Sequence, residues 1–202
     1  MRRTVLLVIL LAHVATPHEA RGQTPPKIIV GPNVRVSSAN GDRAHWETRL
    51  GADPEHANRL IACSYVHSSA LNVFHTVVYL SEDAGTSWRP TLETTGADYI
   101  GDPDCIFGLD GAAYFATLPL HYESDRPPET QVYRSLDGGA HWSQPVVLPF
   151  IDREYLTIDR TRGPHRGQLY LQGNLTRAAT VDGDSRIVFN LFRSTEIGRA
   201  HV

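Results

Sequence analysis

Cysteine is scarce in these 202 residues, with two copies. That scarcity limits the chain to a single disulfide. Basic residues are in no excess, since 19 Lys and Arg face 22 Asp and Glu for a net charge of -3, so the electrostatic footprint of a nucleic-acid binder is missing. No apolar run reaches the roughly 20 residues that span a bilayer. Beyond the N-terminus, no segment of a dozen residues carries apolar positions at helical spacing without Gly or Pro interrupting it, which excludes a helical architecture. A Gly-x-Ser-x-Gly elbow and a phosphate-cradling glycine loop are also absent, and the ten histidines show no close ligand spacing completed by Cys or carboxylate. The pattern calls for no metal and no cofactor.

The longest apolar run, Val5 to Leu11 with Ala12 to Ala15 behind it, follows Arg2 and Arg3 and leads to small residues around Ala20-Arg21-Gly22. This is the layout of a cleavable secretory signal over residues 1–22, with Gln23 as the first mature residue. Export to the periplasm or the medium is therefore expected, with no membrane attachment after cleavage. Removing the segment takes away three arginines and Glu19, which moves the net charge from -3 to -5. In an oxidising compartment Cys63 and Cys105 are free to pair, although "LIACSYV" and "DCIFG" are apolar surroundings in which a cysteine serves as a small buried hydrophobe. Spacing leaves both outcomes open.

After a lead-in over residues 23–45, one unit recurs. Each copy opens on an acidic residue and a short apolar strand ("ETRLGAD" from Glu47, "DPDCIFGL" from Asp102, "DREYLTID" from Asp152). A second strand follows ("RLIACSYV" from Arg59, "AAYFATL" from Ala112, "GQLYLQGN" from Gly167), then a third ("HTVVYLS" from His75, "TQVYRS" from Thr130, "RIVFNLFRS" from Arg186). Short β-branched and aromatic runs between turn residues argue strands. Four strands per unit at a steady period predict an all-β fold of propeller blades, because a sandwich has no such period.

The third strand reverses into the fourth through "SEDAGTSW", Ser81 to Trp88, and through "SLDGGAHW", Ser135 to Trp142. Asp83 and Asp137 are placed to accept turn amides, Gly85 and Gly139 supply positive φ, and Trp88 and Trp142 bury a ring beside the neighbouring strand. A third copy begins at Ser194, but "EIGRAHV" follows it. Those seven residues translate a common sequencing adapter, GAG ATC GGA AGA GCA CAC GTC, so residues 196–202 are expected to be foreign to the protein.

Ser-x-Asp-x-Gly-x-x-Trp is the Asp box, and from Trp46 to Thr195 the chain resembles the sialidase-like, BNR-repeat β-propellers. The resemblance implies a partial propeller over 46–195, about three of six four-stranded blades, with the Asp boxes at the periphery. It also implies an exo-α-sialidase type of glycoside hydrolase acting on a glycan or glycoconjugate. The family's Arg-Ile-Pro is not found, and Tyr65 stands where its acid/base Asp is expected. A non-catalytic propeller that binds a glycan or protein partner is the alternative.

The candidate site is a set of residues at the entries of the first strands. Asp102, Glu47 and Asp152 are the candidate catalytic carboxylates, and Arg153, His45 and Glu154 the candidate substrate-binding groups, because equivalent positions in rotationally related blades form a ring about the axis. Pro103 is expected to hold Asp102 extended and so to aim its side chain.

Overall fold

The computed structural model describes residues 28–68, 73–122, 125–177 and 186–194. The expected signal segment (1–22) and adapter-derived tail (196–202) lie outside the described residues. The chain divides at Pro32. Residues 28–32 are an exposed stretch without regular structure in the first unit, and the second unit, from Asn33, holds all the strands.

Eleven strands are described: β1 (Ala44–Ala52), β2 (Leu60–Ser68), β3 (Val73–Ser81), β4 (Arg89–Glu93), β5 (Tyr99–Phe107), β6 (Ala113–Leu120), β7 (Glu129–Ser135), β8 (Val146–Pro149), β9 (Asp152–Ile158), β10 (Leu169–Arg177) and β11 (Arg186–Arg193). They form three antiparallel sheets in chain order, β1-β2-β3-β4, β5-β6-β7-β8 and β9-β10-β11. The fold is all-β, and each sheet is a meander of the kind that makes a propeller blade; no closed ring is formed among the described residues. Strands β1 and β5 begin three residues before Glu47 and Asp102, at Ala44 and Tyr99. Those acidic residues therefore lie inside the strands and not at their entries.

Each blade is too thin to bury its own side chains, so the core lies between blades. Ile61, Cys63, Val78 and Leu80 of the first sheet meet Cys105, Phe107, Ala113 and Phe115 of the second. On its other face, the second sheet gives Tyr114, Ala116 and Val132 to a cluster with Leu156, Ile158, Leu169 and Leu171 of the third and with Ile151 just before β9. Burial at about 25 cal/mol per Å² of apolar surface makes these two layers the main stabilising term. Both cysteines are free and buried in the first layer, where desolvation pushes the Cys63 thiol well above its ordinary range. They serve as small hydrophobes there.

The two Asp boxes are equivalent turns. Ser81 Oγ donates to Asp83 Oδ1 at 2.9 Å and accepts from Gly85 N at 2.9 Å; Ser135 Oγ donates to Asp137 Oδ1 at 2.7 Å and accepts from Gly139 N at 2.8 Å. Ser87 N and His141 N close the loops onto the same aspartates, at 2.8 and 2.9 Å. Trp142 lies half-buried on the layer between the first two sheets, its Nε1 donating to Thr91 Oγ1 of the first sheet at 3.1 Å. The box thus links neighbouring blades as well as closing a hairpin. Ser194 takes the corresponding place in the third sheet: like Ser81 opposite Leu60 and Ser135 opposite Ala113, it exchanges hydrogen bonds with the first residue of its second strand, Leu169.

Gly139 combines a φ of 95° with a position where an added Cβ would sit 2.9 Å from Ile61 Cγ2. Gly139→Ala is therefore predicted to lower stability by about 1–3 kcal/mol through a strained φ and a clash between blades. Denaturant unfolding should show a lower midpoint at unchanged slope; an unchanged midpoint would refute this account of the turn.

Candidate functional site

In each inner strand the pairing register slips once, between Trp46 and Arg49, between Gly101 and Asp104, and in β9 opposite Gln172 to Asn174. Two residues on the inner strand then face one on the second strand, which is a β-bulge. The first bulged residue is Glu47, Asp102 or Arg153, and these three have φ of 51°, 48° and 54°. Left-handed backbone outside glycine costs roughly 1–2 kcal/mol per residue and persists only where the surroundings over-determine it. Asp102 is therefore not extended: Pro103 disfavours the right-handed helical region but leaves the left-handed one accessible.

The surroundings repeat with the bulge. Ser64 Oγ donates to Trp46 O at 3.0 Å, and Thr117 Oγ1 to Gly101 O at 2.8 Å, each tying down the carbonyl before the left-handed residue. The third blade has Gly173 at this place, where a Cβ would lie 2.9 Å from Asp152 O. The bulges are also joined to one another: Glu47 Oε2 accepts Asp102 N at 3.2 Å, and Asp102 Oδ2 accepts Arg153 N at 3.4 Å. Each acidic side chain thus holds the equivalent amide of the next blade.

The bulges line a cavity of about 260 Å³ with Glu47, Thr48, Arg49, Asp102, Pro103, Arg153, Glu154 and Tyr155. Glu47 and Asp102 bring their carboxyls within hydrogen-bonding reach of each other, and the Glu47 pKa is raised by burial first and by the neighbouring Asp102 charge second. Glu154 is 1% exposed, and neither carboxyl oxygen has a hydrogen-bond partner on another residue. Desolvation, with Asp102, Asp104 and Asp152 adding to it, pushes its pKa well above the ordinary value near 4.5. Arg49 places its guanidinium 4.7 Å over the Tyr155 ring, with Nε 4.0 Å from Asp104 Oδ1. Asp104 in turn accepts Leu156 N at 2.6 Å and Cys105 N at 3.0 Å.

Beside the cavity lies an aromatic cluster outside the core layers. Tyr65 stacks on Phe74 at 5.5 Å and tilts against Tyr99 at 5.3 Å and Trp46 at 5.4 Å, while His67 stacks on Phe74 at 4.3 Å. Trp46 remains 44% exposed. The acidic pair is close enough that Glu47 and Asp102 both help raise the Tyr65 and Tyr99 hydroxyl pKa values, behind desolvation.

The structure brings Glu47, Asp102, Arg153 and Glu154 together. Asp152 is exposed and does not line the cavity; it precedes the bulge, in register with Gly101 and Trp46, so Arg153 and not Asp152 is the counterpart of Asp102. His45 lines a separate cavity against the other face of the first sheet, held by Tyr79 OH at 2.8 Å and Arg43 O at 2.9 Å. Arg49 and Tyr155 were not among the sequence candidates. Their signal is positional, since both stand two residues past the left-handed residue of their bulge. Asp83 and Asp137 stay in the β3–β4 and β7–β8 turns, with hydroxyl and amide donors holding Asp83 down to about 2 and Asp137 well below the usual range.

No protein-family model matches the chain, and no curated protein matches it. Among solved structures, a protein of unknown function from Dyadobacter fermentans DSM 18053 aligns at a TM-score of 0.56 and 15% identity, over 78% of this chain and 53% of that one. A GH74 enzyme from Niastella koreensis aligns at a TM-score of 0.42 and 16% identity, over 74% of this chain and 21% of that enzyme. The chain thus spans about half the length of the first and a fifth of the second. The first likeness is one of fold alone. Fold and cavity together define a propeller-like protein with a polar pocket along its inner strands.

Glu154 sets a pH dependence. A carboxyl whose folded pKa lies above its unfolded value binds more protons when folded, so its contribution is fully present below about pH 4.3 and is lost as pH rises through the folded pKa. Glu154→Gln, which never ionises, is predicted to flatten this slope and gain stability relative to the parent at neutral pH. Melting temperatures of both proteins from about pH 4 to about pH 8 check it; parallel curves would mean that Glu154 ionises freely in the folded state.

Proposed function

We propose that this chain belongs to an exported, sialidase-like propeller protein that engages a glycan in the inner-strand cavity. One observation carries the reading. Three strained, non-glycine bulges converge to present Glu47, Asp102 and Arg153 around one pocket, and an exposed aromatic edge adjoins it. Strain repeated at equivalent positions and aimed at a cavity is the pattern of a site. Sugars need both halves of this surface, polar groups for hydroxyls and aromatic faces for C–H edges.

In the catalytic form of this reading, Asp102 and Glu47 perform the acid/base chemistry on a glycosidic bond, and Arg153 orients the substrate. Support for hydrolysis comes from the carboxyl pair and from the Asp-box resemblance. A second reading, a propeller that binds a glycan or protein partner without cleaving it, is favoured by Tyr65. That residue stands at the position of the family's acid/base Asp, and its ring is packed among Trp46, Phe74 and Tyr99.

Asp102→Asn decides between the two. With aryl sialoside and neutral aryl glycoside reporters, the catalytic form predicts turnover that falls by about 100-fold or more in the variant, the scale of an acid/base contribution. Binding on a glycan array without turnover in either protein establishes the second reading. Absence of both binding and turnover overturns the proposal.

A further inference from the structure

The unpartnered carboxyl of Glu154 bears on which sugar the cavity takes. Glu154 is among the residues that line the cavity, and its buried carboxyl oxygens have no hydrogen-bond partner on another residue. A buried polar group without a partner is destabilising, a cost removed when a ligand supplies the missing bonds. Across the cavity stand Glu47 and Asp102, two more oxygen acceptors within reach of each other. On the cationic side the supply is thin. Arg49 is engaged by Asp104 and by the Tyr155 ring, and Arg153 is an exposed residue beside Tyr155.

An anionic sugar needs a pair of guanidinium donors for its carboxylate, set in a fork and free of competing acids. Here its charge would face Glu47 and Asp102. A neutral polyol has the opposite requirements. Each hydroxyl both donates and accepts, so adjacent hydroxyls can give to the Glu47 and Asp102 oxygens and receive from an acid proton and a guanidinium. A cavity of about 260 Å³ is below the ~300–1,000 Å³ of sites for drug-sized molecules and suits one sugar unit.

We propose that the cavity takes the vicinal hydroxyls of an uncharged pyranose, with Glu47 and Asp102 accepting and the Glu154 carboxyl and Arg153 guanidinium donating. This rests on the reading of the cavity as a glycan site, and it sets the substrate class apart from the sialosides that the Asp-box resemblance implies. Glu154 is then the group that separates hydroxyl recognition from carboxylate recognition.

The test is saturation-transfer NMR on the full chain. The uncharged probes are the methyl glycosides of glucose, galactose and mannose; the anionic probes are those of N-acetylneuraminic acid and glucuronic acid. At least one uncharged probe should bind, with both anionic probes weaker by about tenfold or more, which is about 1.4 kcal/mol. Glu154→Leu should weaken the uncharged probe by a similar factor, and Glu154→Gln, which keeps a donor, should recover most of that loss. Should the leucine variant not fold, the ranking of probes by the parent chain decides alone. Stronger binding of an anionic probe, abolished by Asp102→Asn, overturns the neutral-sugar inference and leaves the glycan reading standing. Binding of no probe of either class overturns both.

Discussion

The two-for-one bulge in each inner strand is the constraint on which the rest of this molecule depends. It forces Glu47, Asp102 and Arg153 into left-handed backbone, a combined cost of several kcal/mol at about 1–2 kcal/mol each. That cost is offset locally by the Ser64 and Thr117 hydroxyls and across blades by the Glu47 and Asp102 carboxylates, which accept the next bulge's amide. Arginine has no acceptor, so Arg153 receives this interaction without passing it on. The site is consequently a property of neighbouring blades. A single sheet would have one bulge and one of the three residues.

The same dependence governs stability. Each sheet is amphipathic on both faces and relies on its neighbour for burial, as in repeat proteins whose stability sums over nearest-neighbour interfaces. Faces without a neighbouring sheet among the described residues show the consequence: Ile187, Phe189 and Leu191 alternate along β11 and are 57–71% exposed. On the first sheet the lead-in partly does a neighbour's work. Val36 packs on the cluster of Ala62, Val66, Val77 and Tyr79, and Asn40 Nδ2 donates to Tyr79 OH at 3.0 Å.

What was legible in the sequence was local. Asp boxes announce themselves because Ser, Asp and Gly must sit at fixed offsets for a serine hydroxyl and one carboxylate to collect the turn donors, and the second strands stand out as apolar runs. The bulges did not show. A left-handed Glu, Asp or Arg has no composition signal, and an inserted residue breaks the alternation that would reveal it. Pro103 misled for the same reason, since it excludes one backbone region without choosing between the others. Asp152 looked equivalent to Asp102 because both open an acidic phrase, whereas pairing with β10 shifts the equivalence by one residue to Arg153. His45 stands two residues before Glu47, where plain alternation would give them one face, but the bulge at Glu47 breaks that alternation and leaves His45 with Tyr79 at the other cavity.

Donor supply separates the scaffold carboxylates from the site carboxylates more sharply than position does. Asp83 and Asp137 each collect several turn donors, and their pKa values fall accordingly. Their acceptor capacity is used within the hairpin, so they have little to offer a ligand. Asp104 is intermediate: two backbone amides reach it, yet burial still raises its pKa. Glu47 and Glu154 lie at the other end of the series, with burial outweighing the donors available to them. A carboxyl left short of partners inside a packed protein is destabilising, and the fold holds one, Glu154, beside a cavity framed by three bulges that are themselves strained. Local costs that accumulate around one cavity, while the Asp-box carboxylates collect several donors each, are the reason we propose that cavity as the place where binding energy is recovered.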